Sequence, residues 1–97
     1  MTFEKFDNGK AQMSLLDPHF IEGIAEVLTI GAKKYSPDNW KRCKDKSRYV
    51  DALYRHFTAY MKGEEVDPES GLSHLYHMGC NIMFLDFFDR EDINEKL

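Results

Sequence analysis

The stretch that most limits what this chain can become is "HLYHMGCNIMFLDFF", His74 to Phe88, with its lead-in from Ser70. Leu72, Leu75, Tyr76, Met78, Ile82, Met83, Phe84, Leu85, Phe87 and Phe88 make a helix here apolar on nearly every side. Such a helix belongs at the centre of a bundle or in a subunit interface. Its polar residues are not scattered: at 100° per residue, Ser70, His74, His77 and Asn81 fall within about 60° of one another. Burying that seam is unfavourable unless partners satisfy it, so it faces either a polar network on a neighbouring helix or a ligand. This helix is expected over about Ser70 to Phe88.

Two further helices precede it. In "LLDPHFIEGIAEVLTIG", Asp17 is placed to cap, Pro18 suits the first helical position, and Leu16 can staple against Ile21. Phe20, Ile21, Ile24, Val27 and Leu28 recur at helical spacing, and Gly31 is a natural stop. In "SRYVDALYRHFTAYMKG", Ser47 suits the cap and Gly63 the exit, with Val50, Leu53, Tyr54, Phe57, Tyr60 and Met61 as the buried stripe. No Val/Ile/Thr alternation with hairpin turns occurs, so the expected fold is all-α, a small bundle of three main helices.

At 97 residues the chain makes one domain, residues 1–97, and a chain this short buries a smaller share of its surface than a long one. A homo-oligomer, dimer or higher, is therefore expected, with the apolar third helix as the interface. A hydrophobic content of 42% and an aromatic content of 13% exclude a disordered chain. The net charge of −4 excludes a general duplex nucleic-acid binder, whose affinity comes from a basic face. No apolar run approaches the ~20 residues of a membrane span. The start "MTFEKFDNGK" lacks a signal-peptide core, so a cytoplasmic location is expected.

The titratable residues gather in two places. The connector "AKKYSPDNWKRCKDK" holds five lysines, an arginine and the only tryptophan, a candidate anion site in an acidic chain. Lys33, Lys34, Arg48 and Arg55 are candidate phosphate ligands, and Tyr35 or Trp40 offers a face for a base; the plain alternatives are a solvated loop and a core anchor. The loop "GEEVDPESGL" sets Glu64, Glu65, Asp67 and Glu69 just before the seam, and Glu22 and Glu26 make a second acidic pair one turn apart. Carboxylate oxygens suit Mg²⁺ or Mn²⁺, and imidazole shifts the preference toward Mn²⁺ or other transition metals. A zinc site from His74, His77, Cys80 and Cys43 is the rival, although structural zinc sites usually pair their ligands in tight knuckles.

Read together, "FDNGKAQMSLLDP", "VLTIGAKKYSPDNW" and "RYVDALYRHFTAYMKGEEVDPESGLSHLYHMGCNIMFL" resemble the small phage-associated dATP/dGTP diphosphohydrolase domain. That domain is a branch of the MazG-like all-α nucleoside triphosphate pyrophosphohydrolases. The resemblance covers about Phe6 to Leu85, and "GAKKY", "RH", "GEEVDPESGL" and "HLYH" are its most specific pieces. It implies hydrolysis of a purine deoxynucleoside triphosphate between the α and β phosphates, assisted by Mg²⁺ or Mn²⁺. It also implies a role in nucleotide-pool control, in the host cytoplasm if a phage encodes the chain, and assembly into oligomers.

The wider superfamily holds metal with Glu-x-x-Glu and Glu-x-x-Asp, and neither pattern is intact here. A rearranged ligand set is expected instead, with Glu26, Glu64 and Asp67 as catalytic candidates and Glu26, Glu64, Asp67, Glu69, His74 and His77 as metal candidates. Lys33, Lys34, Tyr35, Trp40, Arg48, Arg55 and His56 are the substrate-binding candidates, His56 also being a possible ligand. The missing carboxylates leave a second reading, a protein that sequesters nucleotide without cleaving it. A third is a helical interaction module that binds through its apolar third helix.

Overall fold

The computed structural model describes residues 2–96. Three helices carry the fold: α1 over Pro18–Lys34, α2 over Lys46–Met61 and α3 over His74–Glu95, with 3-10 turns at Met13–Leu15 and Asn39–Arg42. Among the described residues no strand forms, only an isolated bridge between Val66 and Ser73. The chain is all-α, as its periodicity predicts.

The boundaries differ from those expectations for local reasons. Asp17 does cap α1, accepting from the N–H of His19 at 3.1 Å with Pro18 in the first turn. Gly31 does not end the helix, because a glycine stop needs a left-handed backbone and Gly31 keeps helical dihedrals. The helix runs on to Lys34. In α2 the cap is Asp45 rather than Ser47; Asp45 accepts from the N–H of Ser47 at 3.1 Å and from its hydroxyl at 2.6 Å, which holds its carboxyl below the usual range. Gly63 is the exit, at φ +95°, and the N–H of Glu64 reaches back to the carbonyl of Ala59 at 3.0 Å in a Schellman closure.

α3 starts at His74 under a Ser73 cap, so Ser70 lies outside the helix. The loop before it doubles back on itself, with the Asp67 N–H on the Leu72 carbonyl at 2.8 Å and the His74 N–H on the Glu65 carbonyl at 3.0 Å. The far end passes Phe88 and reaches Glu95, supported by an Arg90–Asp86 pair at i, i+4 and by Lys46 of α2, which pairs with both Asp89 and Asp92.

α3 is the hub, as its apolar sequence requires. α1 and α2 each pack against it and scarcely touch one another. The α1–α3 contact is built on two glycines: a Cβ at Gly23 would lie 2.6 Å from the ring of Tyr76, and one at Gly79 would lie 3.0 Å from Ile24. The α2 side is aromatic. Trp40 stacks on Phe84 at 4.6 Å between ring centroids and meets Phe87 and Phe88 edge-on, while the hydroxyl of Tyr49 donates to the Trp40 carbonyl at 2.6 Å. Burial raises the Tyr49 hydroxyl to about 12, so it stays protonated to make this bond. Trp40 is thereby a core anchor of the connector.

The three helices leave an open molecule. Its radius of gyration is 17.0 Å, where a compact chain of this length has about 12.5 Å. Its accessible surface is 7988 Å², roughly 2,200 Å² more than a compact monomer of this mass exposes. The expected α2 stripe is only partly covered. Tyr54, Phe57, Tyr60 and Met61 are exposed, Tyr54 and Met61 by 66% and 67%, because α2 meets α3 along its Tyr49, Leu53 and His56 side instead. Phe20 and Ile21 of α1 are also uncovered.

Candidate active site

The seam predicted on α3 faces both α2 and the preceding loop. Of its four members, His74 is 3% exposed, Asn81 is buried, and His77 is half-buried. Ser70, although off the helix, still joins them: its hydroxyl lies 2.7 Å from Nε2 of His77 and accepts from the Leu72 N–H at 3.1 Å. The Asn81 amide donates to the His77 carbonyl at 2.9 Å.

His56 comes from α2. Its Nδ1 lies 2.8 Å from Nδ1 of His74 and 3.9 Å from Oδ2 of Asp67, and its ring stacks on His77 with centroids 4.5 Å apart and planes 8° from parallel. Ligand-type atoms of His56, Asp67 and His74 all fall within 4.8 Å of one another. On the far edge of His74, Nε2 lies 2.8 Å from Oε1 of Glu64. A carboxylate only accepts, so Nε2 carries a proton, and in the neutral ring Nδ1 presents its lone pair to His56. The contact between two Nδ1 atoms then requires the proton on His56.

Asp67 is placed by its own loop. Oδ1 accepts from the N–H groups of Glu69 at 2.8 Å and Ser70 at 3.1 Å, which leaves Oδ2 turned to the imidazoles. Partial burial pushes its carboxyl up, but the two backbone N–H groups and the nearby histidines outweigh this and hold it below the usual range. Burial, then the neighbouring imidazoles, lowers His56. Burial lowers His77 as well, against the pull of Asp67. The cluster at neutral pH is therefore an ionised carboxylate beside unprotonated His56 and His77.

A cleft of about 880 Å³ opens between α1 and α2, floored by α3, and His56 and His77 stand at its wall. Tyr35, Trp40, Arg48 and Arg55 also line it, as do the small Ala52 and buried Asn81. Arg48 and Arg55 make no ion pair among the described residues. Its size falls within the usual range of small-molecule sites.

The other sequence candidates stand apart. Lys33 and Lys34 do not line the cleft, and Lys34 pairs with Glu69 at 3.0 Å, which raises its ammonium and occupies both groups. Glu26 is exposed on α1, where it and Glu22 lie roughly 140–180° around the helix from the cleft-lining side. Glu64 acts on the cluster through His74 rather than from inside it. His77 flanks the converging atoms, engaged by Ser70. The zinc arrangement with two cysteines does not assemble: the Cys80 thiol, raised to about 12 by burial, points at the Ile24 carbonyl, and Cys43 lies against the Asp45 carbonyl. The sequence marks His56 as a substrate contact and a possible ligand, but not as the partner of His74. That pairing depends on how α2 and α3 are rotated against one another, which spacing along either helix alone does not give.

A family model described as "dATP/dGTP diphosphohydrolase, N-terminal" matches residues 2–96. The chain is also 45% identical over 85 residues to a Salmonella phage PMBT28 protein named dATP/dGTP diphosphohydrolase, an alignment covering 88% of this chain and 29% of that protein. It thus spans less than a third of that relative's length. No solved structure matches it. With a match over nearly every residue, the chain belongs to the family of dATP/dGTP diphosphohydrolase N-terminal regions.

Proposed function

We propose that the chain hydrolyses purine deoxynucleoside triphosphates, dATP and dGTP, to the monophosphate and pyrophosphate, controlling a nucleotide pool during phage infection. The observation that supports this best is one cleft lined by two arginines that make no ion pair among the described residues, with the unprotonated imidazoles of His56 and His77 at its wall and the ionised Asp67 carboxylate 3.9 Å from His56. Arg48 and Arg55 have the fork geometry to hold phosphate oxygens in pairs. Tyr35, exposed at the mouth, supplies a face for a base. Trp40 is less suited, since Phe84 already covers one of its faces.

A divalent ion, Mg²⁺ or Mn²⁺, would supply charge neutralisation on the phosphate oxygens and a more acidic water. The donor set suits Mn²⁺ better than Mg²⁺: Asp67 would hold it through its free Oδ2, and His56 and His74 through their facing nitrogens. Glu64 keeps the His74 proton on Nε2, so that Nδ1 stays available.

Incubating purified protein with each dNTP and Mn²⁺, then separating the products, is expected to yield dAMP or dGMP with pyrophosphate. If no dNTP gives either product, catalysis is ruled out. Recovery of intact nucleotide from a stable complex would instead support the sequestering reading, which is favoured by the presence of only one carboxylate in the cluster.

The partner we propose is a second copy of the chain, seated on the side away from the cleft. There Leu75, Ile82 and Ile93 of α3 share one stripe about 180° from the cleft-lining Phe84. Tyr54, Phe57 and Met61 of α2 are exposed as well, and lie roughly opposite the cleft-lining residues of their own helix. The surplus surface exceeds the ~800 Å² per partner that a standard interface covers. Sedimentation equilibrium at micromolar concentration is expected to give twice the 11.4 kDa chain mass; a monomer mass would exclude this pairing.

A further inference from the structure

We propose that His56, His74 and Asp67 form a binding site for a first-row transition-metal ion, held by the chain without nucleotide and selective against Mg²⁺. The carboxylates that would make a magnesium site do not converge: Glu22 and Glu26 are exposed on the far side of α1, Glu69 holds Lys34, and Glu64 holds the outer edge of His74. Among the described residues, Asp67 is the only carboxylate with an oxygen in the cluster. Mg²⁺ requires near-octahedral oxygen ligands, whereas two imidazole nitrogens and one carboxylate oxygen suit a borderline ion such as Zn²⁺.

The distances fit such an ion. Ligands ~2.0–2.2 Å from zinc in a tetrahedral arrangement lie roughly 3.3–3.5 Å apart. The two separations, 2.8 Å between the imidazole nitrogens and 3.9 Å from His56 to Asp67, fall on either side of that value. Two small side-chain adjustments bring all three donors into range, one parting the imidazole nitrogens by roughly 0.5 Å and one turning the half-buried Asp67 carboxylate inward; a position is left open toward the cleft that His56 lines. The site also has outer support. Glu64 orients His74 in the carboxylate–histidine pattern common behind metal ligands, and the Glu69 and Ser70 N–H groups fix Asp67. Ion entry displaces the proton now shared between the two Nδ1 atoms; it moves to solvent or to Nε2 of His56.

The test is calorimetric titration of the metal-free chain, with no nucleotide present, using ZnCl₂, MnCl₂ and MgCl₂. Zn²⁺ is expected to bind one per chain, on the order of 100-fold or more tighter than Mg²⁺, with Mn²⁺ between them. His56→Gln and Asp67→Asn should each weaken Zn²⁺ on the order of 100-fold, and Glu64→Gln about 10- to 100-fold. His19→Gln, at the start of α1 and outside the cluster, should leave Zn²⁺ binding unchanged. Circular dichroism of each variant separates lost binding from lost folding; His74 is left intact because of its burial. Mg²⁺ binding as tight as Zn²⁺, or Zn²⁺ binding that survives His56→Gln in a folded chain, overturns the proposal. Because the readout is ion binding alone, a chain that takes zinc and cleaves no nucleotide keeps this inference and loses the hydrolytic one.

Discussion

Replacing Asp67 with asparagine should remove nearly all turnover while leaving the fold intact. The substitution is nearly isosteric, and its carbonyl oxygen can go on accepting from the N–H groups of Glu69 and Ser70, so the loop before α3 keeps its shape. The second oxygen is what changes. In place of a negative acceptor facing His56 at 3.9 Å, the variant presents a neutral donor, and the cluster loses its only carboxylate. Deleting one charge-stabilising group of this kind lowers kcat by about 10²–10³-fold, or roughly 3–4 kcal/mol of barrier. Steady-state rates on dGTP with Mn²⁺, compared with melting temperature, check this. A variant retaining a tenth of the parent rate would show that the cluster is not where the chemistry happens. Asp67→Ala is the informative contrast, because it also takes away the loop acceptor and should lower the melting temperature.

The second large effect is expected at Gly23, outside the histidine cluster. A Cβ there would lie 2.6 Å from three carbons of the Tyr76 ring, and α1 has no other substantial partner than α3. Gly23→Leu should therefore pry the helix off, destabilising the chain by about 3 kcal/mol. For a domain of this size that corresponds to a fall in Tm of roughly 12–20 °C. Nucleotide binding should fail with it, since α1 forms one wall of the cleft. Tyr76→Ala in the same chain should restore part of the loss, because the two side chains compete for one volume. At Gly31, where nothing lies within 4 Å of a built Cβ, alanine should instead stabilise by about 0.5–1 kcal/mol. An unchanged melting curve for Gly23→Leu would mean that α1 is not seated through this contact.

The three helices and the buried polar seam are legible in the sequence because each rests on a local rule. Period 3.6 marks α1 and α2, and four polar residues on one face of an apolar helix mark a partner for that face. What is not legible depends on relations between helices. The sequence placed Ser70 on α3 through helical spacing, yet it reaches His77 from the loop instead. Glu22 and Glu26 look like a ligand pair because they are one turn apart. Gly23 beside them is what meets α3, and this turns both carboxylates away. Trp40 looks equally fit to hold a base or to fill a core, and three phenylalanines of α3 decide for the core. Position in the sequence makes the loop carboxylates neighbours of the seam, but only the hydrogen bonds of the folded loop separate the one that enters the cluster from the one that stands behind a histidine.

α1 and α2 are joined to a common spine and hardly to each other, so the two walls of the cleft behave as the jaws of a caliper hinged on α3. A guest long enough to touch Tyr35 on one jaw and Arg55 on the other would fasten directly parts of the chain that otherwise meet through α3 and the connector. The grip on such a guest and the rigidity of the protein would then rise together.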